Sequence, residues 1–198
     1  SEPLLIEIHY QMYWHVLVHH PFFRRFNIFE MLTLQRVCHK CVSQTDLVRG
    51  DVLFSAGQEP AQPNMYFVQV GSLSYQLRPQ SLEKRPDAPV VECKENMWLC
   101  EATLWVKWVH KGTASSTSHC KMVALSARNF QKVMGEYRQT IYAVKYAEEF
   151  VRKLNESVDD IDDLLDTMDL VAMVTAVFPP MLPGKKALKQ TGSFLFHG

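Results

Sequence analysis

The chain reads Gly50-Asp51-Val52-Leu53-Phe54-Ser55-Ala56-Gly57-Gln58 over residues 50–58. A short apolar run closed at both ends by glycine predicts a strand between two tight turns. The pattern returns in Met65-Tyr66-Phe67-Val68-Gln69-Val70-Gly71-Ser72-Leu73, and residues 73–77 alternate with period two. Further short apolar runs stand at 90–91 and 121–125. Several short strands at this spacing predict a sandwich or a barrel.

Helices are predicted on both sides of these strands. Leu4, Leu5, Ile8, Met12 and Leu17 recur at roughly helical spacing until Pro21 interrupts the pattern. Behind the last strand, apolar residues again recur at spacings of three and four. The predicted organisation is an N-terminal helical linker at 1–42, a strand-rich domain at 43–125, helices at 126–156, an acidic amphipathic helix at 157–178 and a Pro-rich flexible tail at 179–198.

The composition argues against several classes of protein. The 198 residues carry 21 Lys+Arg and 21 Asp+Glu, so the formal net charge of zero provides no general attraction for nucleic acid. No apolar stretch has the roughly 20 residues that a membrane helix needs. Because the five cysteines are an odd number and no signal peptide opens the chain, we expect reduced thiols and a cytoplasmic location.

The charges are unevenly distributed along the chain. Residues 156–169 carry seven acidic side chains and no basic one. Ser157 and Asp160 form a possible capping box for a helix in this region. Its apolar face would contain Ile161, Leu164, Leu165, Met168 and Val171. We expect this acidic segment to dock onto the mildly basic remainder and to compete there with an anionic ligand.

A third motif suggests a family. It reads Leu99-Cys100-Glu101-Ala102-Thr103-Leu104-Trp105, followed by His110-Lys111-Gly112-Thr113-Ala114, and we call residues 99–114 the cassette. Together with the two glycine-bounded stretches, it resembles the cyclic-nucleotide-binding domain family of gated channels, kinase regulatory subunits and bacterial catabolite regulators. The resemblance covers residues 15–155 and implies a jelly roll, mainly β with flanking helices, whose last helix closes as a lid. It also implies a regulatory module that senses cAMP, cGMP or a related small anion and transmits lid closure to an attached effector, with no other cofactor and no catalytic activity.

The resemblance also implies a role for individual residues. Glu101 would hold the ribose hydroxyl, and the backbone amides near Thr103 and Lys111 would hold the phosphate, because free N–H groups at a helix start favour an anion. Phe150 and Leu154 would cover the base. The implied ligand-binding set is Leu99, Cys100, Glu101, Ala102, Thr103, His110, Lys111, Gly112, Thr113, Phe150 and Leu154.

Two of these residues depart from the family pattern. His110 stands where the family carries arginine, and an imidazole lacks the bidentate fork of a guanidinium. Losing such a charge-assisted contact removes about 1.5–3 kcal/mol. Cys100 stands at the family's glycine and places a side chain near the sugar. The alternative function is therefore a degenerate, non-binding domain that serves in assembly, with its pocket filled by its own tail; Phe194-Leu195-Phe196 is a candidate plug.

The remaining expectations concern partners and other chemistry. The segment His20-Pro21-Phe22-Phe23 resembles the linker of channel members, which implies a larger parent protein such as an ion channel and a possible homo-oligomer formed through that parent. Cys38 and Cys41 have C-x-x-C spacing, but no second pair completes a zinc site, so we expect two partly buried thiols at a helix end and no metal. The sequence contains no G-x-S-x-G elbow, no Walker loop and no H-E-x-x-H motif.

Overall fold

Six helices and eight strands make up the described part of the computed structural model, which comprises residues 1–78, 89–136, 141–156 and 161–180. In chain order they are α1 (Glu2–Leu17), α2 (Pro21–Lys40), β1 (Val42–Leu47), β2 (Val52–Phe54), β3 (Asn64–Val70), β4 (Ser72–Leu77), β5 (Val91–Lys94), β6 (Trp98–Leu99), α3 (Ala102–Trp105), β7 (Gly112–Ser116), β8 (Cys120–Ser126), α4 (Ala127–Glu136), α5 (Ile141–Glu156) and α6 (Leu170–Val177).

The strands form two four-stranded antiparallel sheets. Their orders are β1-β8-β3-β6 and β2-β7-β4-β5. Successive side chains of β3 alternate between two cores: Met65 and Phe67 face the helices, whereas Val68 packs in the roll interior between the sheets. The period-two pattern of the sequence therefore separates a roll core from a helix core.

The glycine-bounded stretch that defined the first predicted strand forms β2 and its two turns. Gly50 and Gly57 have φ of +94° and +80°, a backbone region that glycine enters without steric penalty. The Gly57 N–H donates to the carbonyl oxygen of His110 at 2.7 Å, and the His110 N–H donates to that of Gln58 at 3.1 Å. This turn therefore fixes the main chain of the second half of the cassette.

The helices pack against the first sheet through aromatic side chains. Phe22, at the start of α2, contacts Tyr146 of α5, with ring centroids 4.6 Å apart. The buried face of α1 consists of Tyr10, Tyr13, Val16 and Leu17. Of the five residues that suggested this helix, Leu17 is buried, whereas Leu4, Leu5, Ile8 and Met12 lie exposed on its other side.

The acidic segment differs from the predicted helix. Residues 161–169 are not helical, and α6 covers only the end of the expected range. Asp162 Oδ1 accepts hydrogen bonds from the backbone N–H groups of Leu164 (2.9 Å) and Leu165 (3.1 Å). Such a local side-chain turn competes with helical hydrogen bonding, and Leu165 has φ of +56°. The proposed cap at Ser157 and Asp160 lies outside the described residues.

The candidate plug Phe194-Leu195-Phe196 also lies outside the described residues. Within the part of the chain that is described, no helix combines the length and the apolar character needed to cross a membrane.

Candidate anion-binding site

The cassette lies between the two cores. Leu99 ends β6 inside the roll, Cys100 forms a turn, and Glu101 precedes the short helix α3 that contains Ala102 and Thr103. Cys100 has φ of +65°, which is uncommon for a residue with a side chain. The chain then returns to the roll through the His110–Lys111 loop and enters β7.

A carboxylate from the acidic segment lies against this loop. Asp163 Oδ2 accepts three hydrogen bonds: from the Tyr75 hydroxyl at 2.8 Å and from the backbone N–H groups of Lys111 and Gly112 at 2.8 and 2.9 Å. Gly112 leaves room for the Tyr75 ring, because a Cβ at position 112 would lie 2.5 Å from Tyr75 Cζ. These two adjacent amides belong to the cassette.

The other carboxylate oxygen is bound by two ring nitrogens. Trp108 Nε1 donates to Asp163 Oδ1 at 2.7 Å, and His110 Nδ1 lies 2.8 Å from the same oxygen. The His110 ring stacks on Phe54 of β2 with centroids 4.1 Å apart, which fixes its orientation. We call Tyr75, Trp108, His110 and the amides of Lys111 and Gly112 the cradle.

The cradle stabilises the ionised form of Asp163. Burial alone would raise the pKa of this carboxyl. Hydrogen bonds from His110, Trp108 and Gly112 outweigh burial and hold the pKa below its usual range. Asp163 is only 1% exposed, so the cradle binds a desolvated anion.

Asp163 is held in place by its neighbours in sequence. Leu164 packs into the roll interior and Leu165 into the helix core. The Cys100 N–H donates to the Asp163 carbonyl oxygen at 2.7 Å, and the Asp163 N–H donates to the Tyr75 hydroxyl oxygen at 3.2 Å. We call residues 161–165 the docked segment.

The fold of this chain is similar to that of known structures. No protein-family model matches the chain, and no curated protein matches it. The N-terminal domain of a transcriptional regulator from Streptomyces coelicolor A3(2) is 20% identical, with a TM-score of 0.53, over 72% of this chain and 94% of that one. The sensor domain of the transcriptional regulator DNR from Pseudomonas aeruginosa is 18% identical, with a TM-score of 0.53, over 80% of this chain and 97% of that one. The predicted fold class, a cyclic-nucleotide-binding-type roll with flanking helices, is confirmed.

Glu101 lies apart from the cradle and binds the helices. Its Oε1 accepts from the Tyr146 hydroxyl at 2.9 Å and from Trp105 Nε1 at 3.2 Å, and its Oε2 lies 2.9 Å from His20 Nε2. His20 Nδ1 accepts from the Phe22 N–H at 3.2 Å, so the proton of the neutral ring is on Nε2 and is donated to Glu101. The side chain expected to hold a ribose therefore links the α1–α2 junction to α5.

The other predicted residues contribute to the surroundings of the cradle. Thr103 Oγ1 donates to the Cys100 carbonyl oxygen at 2.8 Å, and its N–H donates to the same oxygen, so this amide is not free for a phosphate. Thr113 Oγ1 accepts from the Ala56 N–H at 3.1 Å. The expected lid residues Phe150 and Leu154 belong to the helix core.

The cluster of Cys100, His110 and Asp163 has the composition of a catalytic triad but not its geometry. In a nucleophilic triad the two imidazole nitrogens face opposite partners. Here Nδ1 faces both the Cys100 sulfur, at 3.7 Å, and Asp163 Oδ1. Cys100 is fully buried, and burial followed by the neighbouring Asp163 raises the pKa of its thiol well above the usual range. This arrangement does not favour a thiolate nucleophile.

Sequence reasoning missed Tyr75, Trp108 and Asp163 as site residues. Trp108 and Tyr75 were indistinguishable from other aromatic residues of a core. The acidic run did indicate docking, but nothing distinguishes Asp163 from the carboxylates beside it in sequence. Only the folded chain places this one at the cradle.

Proposed function

We propose that this chain is a regulatory module of the cyclic-nucleotide-binding type that carries its own ligand. The docked segment takes the place of a cyclic nucleotide, and its docking or release is the signal passed to the flanking helices. The observation that carries the proposal is the Asp163 carboxylate, which accepts hydrogen bonds from two adjacent cassette amides and from three cradle side chains.

The chemistry of the cradle supports an anion of this kind. Adjacent backbone N–H groups with a nearby histidine suit either a carboxylate or a phosphate oxygen. Charge-assisted hydrogen bonds of this type contribute about 1.5–3 kcal/mol each, whereas an unpaired buried carboxylate is strongly disfavoured. An occupant supplied by the same chain also avoids the entropy loss of binding a free ligand.

A route from the cradle to the helices supports the regulatory role. Cys100 donates its N–H to the docked segment, and the next residue, Glu101, binds His20 and Tyr146. Movement of the docked segment therefore acts on the α1–α2 junction through two consecutive residues. A role without catalysis, a cytoplasmic location and a larger parent such as an ion channel belong to the same proposal.

A second candidate function is sensing of cAMP or cGMP by displacement. The amides of Lys111 and Gly112 favour it, because these main-chain donors become available whenever Asp163 leaves. Lys111 is exposed, and its ammonium lies 5.3 Å from the centroid of the Trp108 ring, close enough to follow an incoming phosphate. Under this alternative the docked segment is a competitive inhibitor of nucleotide binding.

The test uses the full chain and an Asp163→Ala variant. Amide hydrogen exchange of Lys111 and Gly112 reports docking, and calorimetry with cAMP, cGMP and inorganic phosphate reports free ligands. Asp166→Ala is the matched control. This substitution removes the same charge three residues away, at a side chain that is exposed. Asp163→Asn serves as a milder variant if alanine prevents folding.

We expect both amides to be protected in the wild type and in Asp166→Ala, and to exchange at least about tenfold faster in Asp163→Ala. Unchanged exchange in Asp163→Ala would overturn the self-liganded module. Nucleotide binding by Asp163→Ala and not by the wild type supports sensing by displacement. If neither the wild type nor Asp163→Ala binds a nucleotide, the result supports the role in assembly. If the wild type binds a nucleotide while the segment stays docked, the result contradicts both the self-liganded module and sensing by displacement.

A further inference from the structure

Three potential metal ligands meet where the docked segment joins the cassette. Cys100 Sγ, His110 Nδ1 and an Asp163 carboxylate oxygen all lie within 4.8 Å of one another. All three side chains are buried, with exposed fractions of 0%, 3% and 1%. They come from three separate segments: the turn after β6, the loop before β7 and the docked segment.

We propose that Cys100, His110 and Asp163 form a binding site for a borderline divalent transition metal, with Zn²⁺ as its expected occupant, which latches the docked segment onto the roll. The proposal deepens the proposed function and rests on it in one respect, because Asp163 belongs to the docked segment. Thiolate, imidazole and carboxylate together suit zinc, whereas Ca²⁺ and Mg²⁺ prefer oxygen ligands alone.

The ligand spacing agrees with a tetrahedral site. With metal–sulfur and metal–nitrogen or metal–oxygen bonds of about 2.3 and 2.0–2.2 Å, neighbouring ligand atoms of a zinc ion lie roughly 3.4–3.6 Å apart. The Cys100 sulfur lies 3.7 Å from His110 Nδ1 and 3.9 Å from Asp163 Oδ1, too long for strong hydrogen bonds. The Nδ1–Oδ1 distance of 2.8 Å needs to open by about 0.6 Å.

The surrounding hydrogen bonds permit this change. Trp108 Nε1 uses one lone pair of Asp163 Oδ1, and the other lone pair faces His110. Metal binding therefore replaces only the His110 Nδ1–H contact, and the three donors to Oδ2 remain to orient the carboxylate. The described chain supplies three ligands here, so a tetrahedral ion needs one further ligand.

The charge balance favours a divalent ion. Binding releases the thiol proton of Cys100, and the proton on Nδ1 of a neutral His110 ring moves to Nε2, which leaves one thiolate, one carboxylate and one neutral imidazole. Two negative charges and a divalent cation sum to zero in a buried site, where an uncompensated charge is strongly disfavoured.

The backbone of Cys100 is the second observation. Its φ of +65° is a conformation that glycine adopts without penalty and that other residues rarely adopt. Strained residues of this kind are concentrated at functional sites. The conformation directs the thiol toward His110 and Asp163, and a metal–thiolate bond provides a physical reason for a cysteine at this position.

The test uses the full chain, stripped of metal and then titrated with Co²⁺ as a spectroscopic probe and with Zn²⁺. We expect one ion per chain, a thiolate-to-cobalt charge-transfer band with the visible bands of a tetrahedral site, and an unfolding midpoint that rises with Zn²⁺. Cys100→Gly removes the ligand and relieves the backbone, so this variant should fold. It should lose the band and bind Zn²⁺ at least about 100-fold more weakly.

Cys38→Ala is the matched control, because it removes another buried thiol and should retain the band. Absence of a thiolate band in the wild type, or its persistence in Cys100→Gly, would overturn the metal site. Amide protection of Lys111 and Gly112 in the metal-free protein separates the two proposals. If the amides are protected in the metal-free protein but cobalt gives no thiolate band, the metal site is contradicted and self-docking is not. If cobalt gives the band but the amides are unprotected in the metal-free protein, self-docking is contradicted.

Discussion

At the scale of single residues, Asp163 is an anion buried against the roll. Four of the donors to its carboxylate are neutral groups: the Tyr75 hydroxyl, Trp108 Nε1 and the backbone N–H groups of Lys111 and Gly112. Each neutral donor is then worth more than at the surface, because the interior screens the charge less than water does.

The Tyr75 hydroxyl offers a direct measurement of this effect. Tyr75→Phe removes a donor to Asp163 Oδ2 and the acceptor of the Asp163 N–H. We expect a loss of about 1.5–3 kcal/mol in the free energy of unfolding, measured by urea denaturation, because a buried charge loses a hydrogen bond. Tyr142→Phe is the control, since the Tyr142 hydroxyl makes no hydrogen bond to a described residue, and equal losses in both variants would contradict the account.

The C-x-x-C pair gives a second prediction. Cys38 and Cys41 lie buried at the end of α2, and burial raises the pKa of both thiols to about 12. At pH 8 roughly one thiol in ten thousand is ionised. We therefore expect iodoacetamide to modify both cysteines rapidly in urea but only at the unfolding rate in buffer, as followed by peptide mass spectrometry. Rapid modification of the native protein would contradict the burial.

The sequence identifies some site residues and not others for physical reasons. Lys111 and Gly112 lie in the cassette motif, whose main-chain amides act as donors with little dependence on side chains. Glu101 matches the motif equally well, yet its carboxyl group binds His20 and Tyr146. His20 and Glu101 are 81 positions apart in the chain, so no local sequence pattern indicates that their side chains meet.

At the scale of elements, β7 begins at a position where only glycine fits. A Cβ on Gly112 would lie 2.5 Å from Tyr75 Cζ and 2.6 Å from the Gln76 carbonyl oxygen. We expect Gly112→Ala to lower the free energy of unfolding by about 1–3 kcal/mol through overpacking. Gly135→Ala in α4 is the opposite control: nothing lies within 4 Å of its Cβ, and alanine should stabilise the helix by about 0.5–1 kcal/mol.

The start of α2 depends on a histidine cap. His20 accepts from the Phe22 N–H and donates to Glu101, so His20→Ala leaves both groups without these partners. We expect a loss of about 2–4 kcal/mol in thermal or urea unfolding, the sum of a cap and a buried hydrogen bond. His19→Ala, which changes the exposed neighbour, should have little effect. Similar losses in both variants would mean that general helix propensity, and not the cap, stabilises this junction.

Strands and helices differ in how well the sequence predicts them. Short apolar runs predict five of the eight described strands, β2, β3, β4, β5 and β8, whereas β1, β6 and β7 were not predicted. The acidic segment was predicted as a helix from its apolar spacing, but the Asp162 side chain binds the backbone of the next turn, and Leu164 and Leu165 pack into two different cores. Apolar spacing alone does not show whether such residues form one face of a helix or pack into two different cores.

At the scale of the whole molecule, two buried carboxyl groups lie on either side of Cys100. Asp163 binds the roll, and Glu101 binds the α1–α2 junction and α5. A single residue, Cys100, connects them: its N–H is bonded to the Asp163 carbonyl oxygen, and Glu101 follows it in the chain. Such a short covalent and hydrogen-bonded path is a physical basis for coupling between the roll and the helices.

This coupling predicts a distant effect of undocking. In Asp163→Asn, faster amide exchange in the cassette should be accompanied by faster exchange of the Phe22 N–H, because a shift of Glu101 loosens the His20 cap that binds this amide. The Phe22 amide in Asp166→Asn should exchange as in the wild type. Combining Asp163→Asn with His20→Ala should then destabilise the protein by less than the sum of the two single losses, since both weaken one network. Exchange confined to residues 99–116, together with additive losses, would mean that the roll and the helices respond independently.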